Sequence, residues 1–480
     1  MELNEWCKQA EELKVQLGDE YWKMRVGLPY SEERIKSLEA SNGTHNADFL
    51  KRWSEPKLIF IDAVESVASS RTVDVALKFE EERKTKITCE EHKHNGLHVN
   101  WTTWRQWVVD ANDKDRKKVF DTFVAKVPAI TPLIKERFET SLAVFEDNGT
   151  DPLKTYLEHH KLKIGQLRAI IEQLRDAAKP GFKKGFSHYS QKISGREPEY
   201  YDDFYYMRNK IYEDIVPAFE KVDSLGHCLK TIRDMGLDPS KIKLDDADRP
   251  GKYPSPFCSF IRVPTDIRVS FKKENPLNTA VSAYHEYGHA IHASSIDPAL
   301  PYWTRNLMSM GLAESFSTFF EDLIEDEIYC TKELGLSKQT ALEIHKRVRF
   351  HNLFAVSFYC ANSLFRIDTY EKKIPFEKWD DLYARHIKDC MGMTIPGEYW
   401  QLHHILPESL LYVPSYLLAF VRSFEMRNKL AKEYGNEWWK SPLAGKPLRE
   451  WMRHGQDSVI GDFSRLDVRG FLKRLKEQVA

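Results

Sequence analysis

The sequence predicts a mainly α protein with one small β-sheet beside a helix that carries a His-Glu-x-x-His pattern. Three observations lead to this fold class. Apolar residues recur at helical spacing along most of the 480 residues, with charged residues on the opposite faces. Short runs rich in β-branched and aromatic residues occur convincingly only within residues 257–271. The His-Glu-x-x-His pattern follows at residues 285–289, inside a helical segment.

Composition excludes several classes of protein. The net charge of -1 gives no bulk electrostatic reason to bind nucleic acid or an anionic membrane. The seven cysteines are scattered without CxxC spacing, which argues against a disulfide framework or a cysteine zinc site and fits a reducing compartment. The N-terminus is charged, and no apolar run is long enough to span a bilayer. We therefore expect a cytoplasmic protein with neither nucleic acid nor membrane as a partner.

The helical pattern is interrupted at two places in the first half of the chain. Residues 113–137 and 151–178 show strong helical periodicity. Residues 180–199 open with Pro-Gly and predict a loop, and residues 245–256, with three prolines and a glycine, predict a break. Residues 257–263 and 267–271 then predict two short strands.

The break suggests a division of the chain into two regions. Residues 1–245 are predicted to form a helical region at one wall of the site. Residues 246–480 are predicted to hold the sheet, the His-Glu-x-x-His helix and the C-terminal helices. We expect the two regions to form one continuous structural unit.

The segment His285-Glu286-Tyr287-Gly288-His289 predicts a zinc site. Residues four apart lie on one face of a helix, so both imidazoles can bind one metal ion. Glu286 lies next to the first ligand and can take a proton from an attacking water. A catalytic zinc also needs a third protein ligand and an open position.

Glu314 is the candidate for the third ligand. It lies 25 residues beyond His289, which leaves room for a connection and an antiparallel return helix. Glu321, two turns further, is either an acceptor for a ligand histidine or, together with Asp322, part of a solvated helix face. The other histidines of this region are predicted to be bystanders or structural: His292, His345 and His351.

These residues resemble the carboxypeptidase Taq family of zinc metallocarboxypeptidases. Five local similarities carry the resemblance: Ser255-Pro256-Phe257 with Asp266-Ile267-Arg268-Val269-Ser270, the His-Glu-x-x-His helix, Glu314-Ser315-Phe316-Ser317, residues 397–404 (GEYWQLHH), and Tyr412-Val413-Pro414-Ser415-Tyr416. An arginine-containing segment of the family is expected near residues 350–355, where this chain keeps only Asn352. The chain therefore resembles a divergent member of the family, and its recognition of the substrate end is expected to depart from the family pattern.

The resemblance implies a fold and a cofactor. It implies a zincin-type, largely helical peptidase with a deep groove around one Zn2+ per chain, for which Co2+ could substitute. The expected substrates are peptides, and the expected activity is release of C-terminal residues. A homodimer is the assembly that the resemblance suggests.

The resemblance also implies roles for residues beyond the ligands. His403, Tyr412 and Tyr416 are expected to join Glu286 in catalysis as neutral donors to the oxyanion. His404 is the alternative to His403 and is expected to contact the substrate. Arg268 is expected to bind the substrate carboxylate, because its guanidinium matches a carboxylate in shape and charge. Asp266 is expected to hold this arginine or to cap the turn.

Two other functions stay open. The oligoendopeptidase F and thimet oligopeptidase family has the same zinc motif with a glutamate at essentially this distance, and such an enzyme would cut short peptides internally. A relative that keeps zinc only for structure is the third reading. Glu286 beside an open coordination position argues against it.

Overall fold

Long helices make up most of the chain. The computed structural model describes residues 2–101, 103–208, 210–253, 255–272, 275–403 and 405–477. Over these residues the α-helices are α1 (Leu3–Arg25), α2 (Glu32–Arg52), α3 (Lys57–Lys86), α4 (Trp104–Trp107), α5 (Asp113–Lys126), α6 (Thr131–Asp147), α7 (Pro152–His159), α8 (Ile164–Ser194), α9 (Asp203–Arg208), α10 (Val216–Phe219), α11 (Ser224–Asp234), α12 (Pro276–Ser294), α13 (Tyr302–Asn306), α14 (Met310–Glu321), α15 (Glu327–Lys332), α16 (Lys338–Glu371), α17 (Trp379–Met391), α18 (Pro414–Tyr434), α19 (Gly445–Arg453) and α20 (Arg469–Glu477). The predicted mainly α fold is confirmed.

Helix α8 corrects one prediction. Residues 180–199 were expected to form a loop, but α8 continues through Pro180 and ends only at Gly195, which has φ +68°. Proline removes one intrahelical hydrogen bond and costs about 3 kcal/mol in a helix interior. The buried side chains on both sides of it, including Ala178 and Phe182, pack into the main core. Tertiary packing therefore outweighs the local signal.

The two long helical segments of the first half are each interrupted. Residues 113–137 form α5 and α6 with a short 3₁₀ turn, Val127–Ala129, between them. Residues 151–178 form α7 and the start of α8, separated at Lys161, which has φ +56°. The periodicity located the helices but not these turns.

A small sheet packs beside α12, as predicted. Its strands are β3 (Ile242–Asp245), β4 (Phe257–Arg262) and β5 (Asp266–Ser270), in the order β3-β5-β4. β4 pairs antiparallel with β5, and β3 pairs parallel with β5. The two predicted strands are confirmed, and β3 is an addition from the preceding segment.

A second sheet was missed from the sequence. β1 (Thr88–His94) and β2 (Leu97–Asn100) form an antiparallel hairpin. Asn95 and Gly96 connect them with φ of 52° and 81°. An Asn-Gly pair with two positive φ angles is the signal of a two-residue hairpin turn, and it could have identified this hairpin.

One apolar core runs through the molecule from Val75 to Leu475. This core includes residues from both sides of residue 245. The division of the chain into two regions at that residue stays a prediction. The N-terminal helices add a smaller cluster around Trp6, Phe49 and Tyr302. Helix α1 also packs against β4, so the N-terminal helices lie next to the sheet.

Among the residues that the structure describes, no helix is both long enough and apolar enough to cross a membrane.

Candidate metal centre

Helices α12 and α14 pack closely against each other at the His-Glu-x-x-His segment. Gly288 allows this approach. A Cβ atom at Gly288 would lie 2.7 Å from the Phe316 carbonyl oxygen and 2.7 Å from the Ser317 Cα atom. Such contacts are too short for any side chain, so only glycine lets the two helices come this near. The close packing brings Glu314 of α14 to the histidines of α12.

The structure brings the three predicted ligands together. His285, His289 and Glu314 each offer a ligand atom, and these atoms all lie within 4.8 Å of one another. Nε2 of His285 and Nε2 of His289 are each 3.5 Å from Oε2 of Glu314. The rings of the two histidines are nearly perpendicular, with centroids 4.9 Å apart.

This geometry fits a tetrahedral metal. Metal bonds of about 2.0–2.2 Å at tetrahedral angles place two ligand atoms about 3.3–3.6 Å apart. The observed 3.5 Å separations lie in that range. Two imidazole nitrogens and one carboxylate oxygen are also a donor set that catalytic zinc sites use. The residues present therefore fit zinc.

Further side chains orient the ligands. Glu321 Oε2 accepts a hydrogen bond from Nδ1 of His285 at 2.6 Å, which leaves Nε2 of His285 directed at the site. The Tyr412 hydroxyl donates to Oε1 of Glu314, and the Ser317 hydroxyl donates to Oε2 at 3.0 Å. Of the two readings of Glu321, its placement fits the acceptor for a ligand histidine. Ser317 was not singled out from the sequence.

The two carboxyl groups of the site differ in their electrostatics. Burial raises the pKa of Glu286 above its usual range, against the charges of His285 and His289. Burial acts in the same direction on Glu314, but the neighbouring imidazoles and the Tyr412 hydroxyl hold the pKa of Glu314 at about 2. Glu314 is thus an anion suited to bind a cation, and Glu286 is the stronger base.

The pKa of His285 reflects the acidic surroundings. Burial alone would lower it, but the bond to Glu321 and the nearby carboxylates raise the pKa of His285 to about 10. A metal ligand must be a neutral imidazole, so metal uptake would release this proton.

Tyr416 and His403 are two of the predicted donors to the oxyanion, and the protonation state of each suits that role. Burial, followed by the charge of Glu314, raises the pKa of Tyr416 well above its usual value, and Glu286 adds to the effect. Burial, with help from Arg105, lowers the pKa of His403 to about 3. Nδ1 of His403 accepts from the Ile405 amide at 3.1 Å, which puts the proton of the neutral ring on Nε2. Both side chains are neutral donors.

The side chain of Arg268 does not point toward the metal ligands. Successive side chains of a strand point to opposite faces. Phe260 of β4, paired with Ile267, faces α12, where its ring centroid lies 6.3 Å from that of His289. Arg268 is therefore on the other face, against α1.

The partners of Arg268 agree with this placement. Its guanidinium donates to both oxygens of Asp266 at 2.9 and 2.8 Å and to Asp19 at 2.8 Å, and it lies 5.7 Å from the Trp22 ring. Asp266 holds Arg268, as one of its two expected readings stated. The strand alternation thus directs Arg268 away from the ligands, and its expected role in binding substrate stays a prediction.

Arg105 is an arginine that the sequence did not point to. It lies in the short helix α4, and its Nη1 donates to the Ser255 hydroxyl at 3.5 Å. Its charge also acts on His403. Arg105 thus lies between the start of β4 and the His403 segment. It is more than 140 residues before both in the chain, so no local pattern could have found it.

His404 lies outside the described residues. His292 is buried against Phe316, with ring centroids 4.2 Å apart, and is not part of the ligand cluster, as predicted. Asp322 forms an ion pair with Arg427 at 2.6 Å and accepts from Ser423, so it contacts α18 instead of the centre.

Comparison with known proteins agrees with this centre. The model of the Carboxypeptidase Taq (M32) metallopeptidase family matches residues 218–372, a segment that contains all three ligands. Among solved structures, the chain is similar to the M32 carboxypeptidase from Deinococcus radiodurans R1, with a TM-score of 0.56 and 14% identity over 99% of this chain and 98% of that one. No curated protein matches the chain. The resemblance stated from the sequence is confirmed, and with it the prediction of a metallopeptidase.

Proposed function

We propose, from the premise that this chain is a metallopeptidase of the carboxypeptidase Taq (M32) family, that it uses zinc to release residues from the free C-terminus of peptides. The single observation that supports the zinc chemistry is the pair of 3.5 Å separations from Oε2 of Glu314 to the two imidazole nitrogens. His285, His289 and Glu314 would hold the metal.

Glu286 supplies the proton chemistry. Bound zinc supplies a Lewis acid that polarises the scissile carbonyl and lowers the pKa of water. Glu286 accepts the proton of the attacking water and passes it to the leaving amine. The raised pKa of Glu286 suits the first step, because a weaker base would not accept the proton from water. The protonated carboxyl group then serves as the acid that gives the proton to the leaving amine.

Tyr416 and His403 stabilise the oxyanion in this proposal. Both are neutral donors, so they can donate to negative charge without competing for the proton held by Glu286. Tyr412 has a different task, because its hydroxyl donates to Glu314. We assign Tyr412 to holding the ligand.

Recognition of the substrate carboxylate is assigned to Arg105. An exopeptidase needs a cation at the end of the peptide, and a guanidinium is the natural partner of a carboxylate. Arg268 is engaged by two aspartates on the far face of the sheet. Arg105 contacts Ser255, and its charge acts on His403, which supports assigning this role to Arg105.

Matched peptides test the proposal. The zinc-loaded protein is incubated with peptides that differ only in a free or an amidated C-terminus, and the products are identified by mass spectrometry. We expect single residues to be released from free-acid peptides and little cleavage of amidated ones. Equal internal cleavage of both would establish the oligoendopeptidase function in place of this one.

The two arginines provide a matched pair of variants. Arg105→Ala should raise KM for free-acid peptides by about 30-fold or more, because a lost charged contact in a partly desolvated site costs roughly 2–5 kcal/mol. Arg268→Ala should leave KM nearly unchanged. The reverse result would return the role to Arg268. Cobalt substitution, a cytoplasmic location and a homodimer stay predictions.

A further inference from the structure

The N-terminus of α14 is held by a buried histidine that lies far away in the sequence. The Gly311 amide in the first turn of α14 donates to Nε2 of His160 at 3.1 Å. The first amides of a helix have no partner inside the helix, so an acceptor is needed there. Glu314 follows Gly311 by one turn of the same helix. The bond therefore fixes the end of α14 next to the third ligand.

The chemical state of His160 is set by its other contacts. Its Nδ1 donates to the Tyr156 carbonyl oxygen at 2.8 Å, which leaves the lone pair on Nε2 for Gly311. The ring stacks on that of Tyr156 with centroids 3.9 Å apart, and its exposed fraction is 2%. Burial, followed by the charge of His159, lowers the pKa of His160 to about 3, so the acceptor persists over the working range of pH.

The same histidine also contacts the start of α18. The Ser415 hydroxyl lies 3.5 Å from Nε2 of His160 and 3.2 Å from the Tyr156 hydroxyl. Ser415 directly precedes Tyr416 and is three residues beyond Tyr412, the donor to Glu314. One imidazole thus joins the beginning of α14, which supplies the third ligand, to the beginning of α18, which carries Tyr416.

Gly311 is shaped to this contact. A Cβ atom at Gly311 would lie 2.8 Å from Cδ2 of His160 and 2.9 Å from the Phe463 ring. Any larger residue would push the imidazole away from the amide. The hydrogen bond between Gly311 and His160 therefore depends on both residues, although about 150 residues separate them in the sequence.

We propose that His160 is a positioning residue of the metal centre, which sets the place of Glu314 relative to His285 and His289 by accepting from the Gly311 amide. This inference rests on the proposed zinc site, but not on the proposed exopeptidase activity. Its direct consequence concerns zinc affinity, because a displaced Glu314 binds the metal less tightly. Partners that orient metal ligands typically change metal affinity by about 10- to 100-fold.

Two substitutions of His160 separate the acceptor from the rest of the side chain. His160→Gln places an amide oxygen near the position of Nε2 and keeps an acceptor for Gly311. His160→Asn reaches only the position of Nδ1, so it keeps the bond to Tyr156 and loses the acceptor. Ile171→Val, in the core of α8, controls for a general loss of stability.

Zinc affinity is measured by competition with a chelating dye on the metal-free protein reloaded with zinc. We expect His160→Asn to weaken zinc binding by about 10-fold or more, with His160→Gln and Ile171→Val within about threefold of wild type. Unchanged affinity in His160→Asn, or equal losses in the Asn and Gln variants, would overturn the proposal. Should His160→Asn fail to fold, Gly311→Ala provides the same test, and normal zinc affinity in that variant would equally overturn it. If wild type binds zinc but does not release C-terminal residues, only the proposed function fails.

Discussion

At the residue scale, the two oxygens of Glu314 have separate tasks. Oε2 lies 3.5 Å from both ligand nitrogens and accepts from Ser317, whereas Oε1 accepts from Tyr412. Holding both oxygens fixes the rotation of the carboxylate, so a bound metal would find its third ligand already oriented. The pKa of about 2 means that Glu314 is charged at every pH at which the enzyme would work.

Glu286→Gln is the sharpest test at this scale. The amide cannot accept a proton from water, so activity should fall by about 10²–10⁴-fold. The variant should retain its zinc content, because Glu286 is not among the ligand atoms. Activity is measured on free-acid peptides after zinc content has been determined by atomic absorption. Normal turnover with full zinc occupancy would show that another group is the base.

At the scale of elements, the centre depends on the approach of α12 and α14. The two positions marked x in the His-Glu-x-x-His pattern accept any residue by definition. In this chain the second of them is Gly288, where a Cβ atom would lie only 2.7 Å from backbone atoms of α14. The motif thus specifies packing as well as ligands. Strand β5 gives the converse case, since its alternation sends Arg268 toward α1 and away from α12.

Gly288→Ala should therefore separate the two helices. The added methyl would force a shift costing about 1–3 kcal/mol and move Glu314 from the histidines, so zinc affinity should fall by about 10-fold or more. Gly165→Ala is the matched control, because Gly165 is in α8 with no atom within 4 Å of the added Cβ. The control should be neutral or slightly stabilising. Wild-type zinc affinity and melting temperature in Gly288→Ala would refute the packing argument.

At the scale of the whole molecule, the centre joins distant parts of the chain. His160, which directly follows α7, accepts from Gly311 of α14, and Glu314 of α14 lies beside His289 of α12. Tyr412, two residues before α18, donates to Glu314. Zinc bound to this centre would favour the folded state, because the ligands meet only there.

Removal of zinc should lower the melting temperature. Ligand at about 1,000 times its Kd stabilises the folded state by about 4 kcal/mol, which for a chain of this size corresponds to a shift of about 4 °C. Calorimetry of the protein with zinc and after chelation measures the difference. In Glu314→Ala, which lacks the third ligand, most of the shift should disappear. A zinc-dependent shift of equal size in wild type and variant would place the stabilising metal elsewhere.

Much of the fold and of the centre could be predicted because the signals are local. The i, i+4 histidines, the neighbouring Glu286 and the strands at 257–262 and 266–270 are each contained in a few consecutive residues. The hairpin at Asn95-Gly96 had an equally local signal that was overlooked. Pro180 was also a local signal and indicated a loop, but the packing of α8 keeps this segment helical.

The sequence by itself determined the helical class, the sheet beside α12 and the identity of the residues whose ligand atoms meet. Only the tertiary structure decided that Arg268 faces α1, that Tyr412 holds Glu314, and that His160 and Arg105 lie near the site. The physical reason is the range of the interactions. Helix periodicity and strand alternation act over a few residues, whereas contacts between residues about 100 or more apart depend on how all the intervening helices pack.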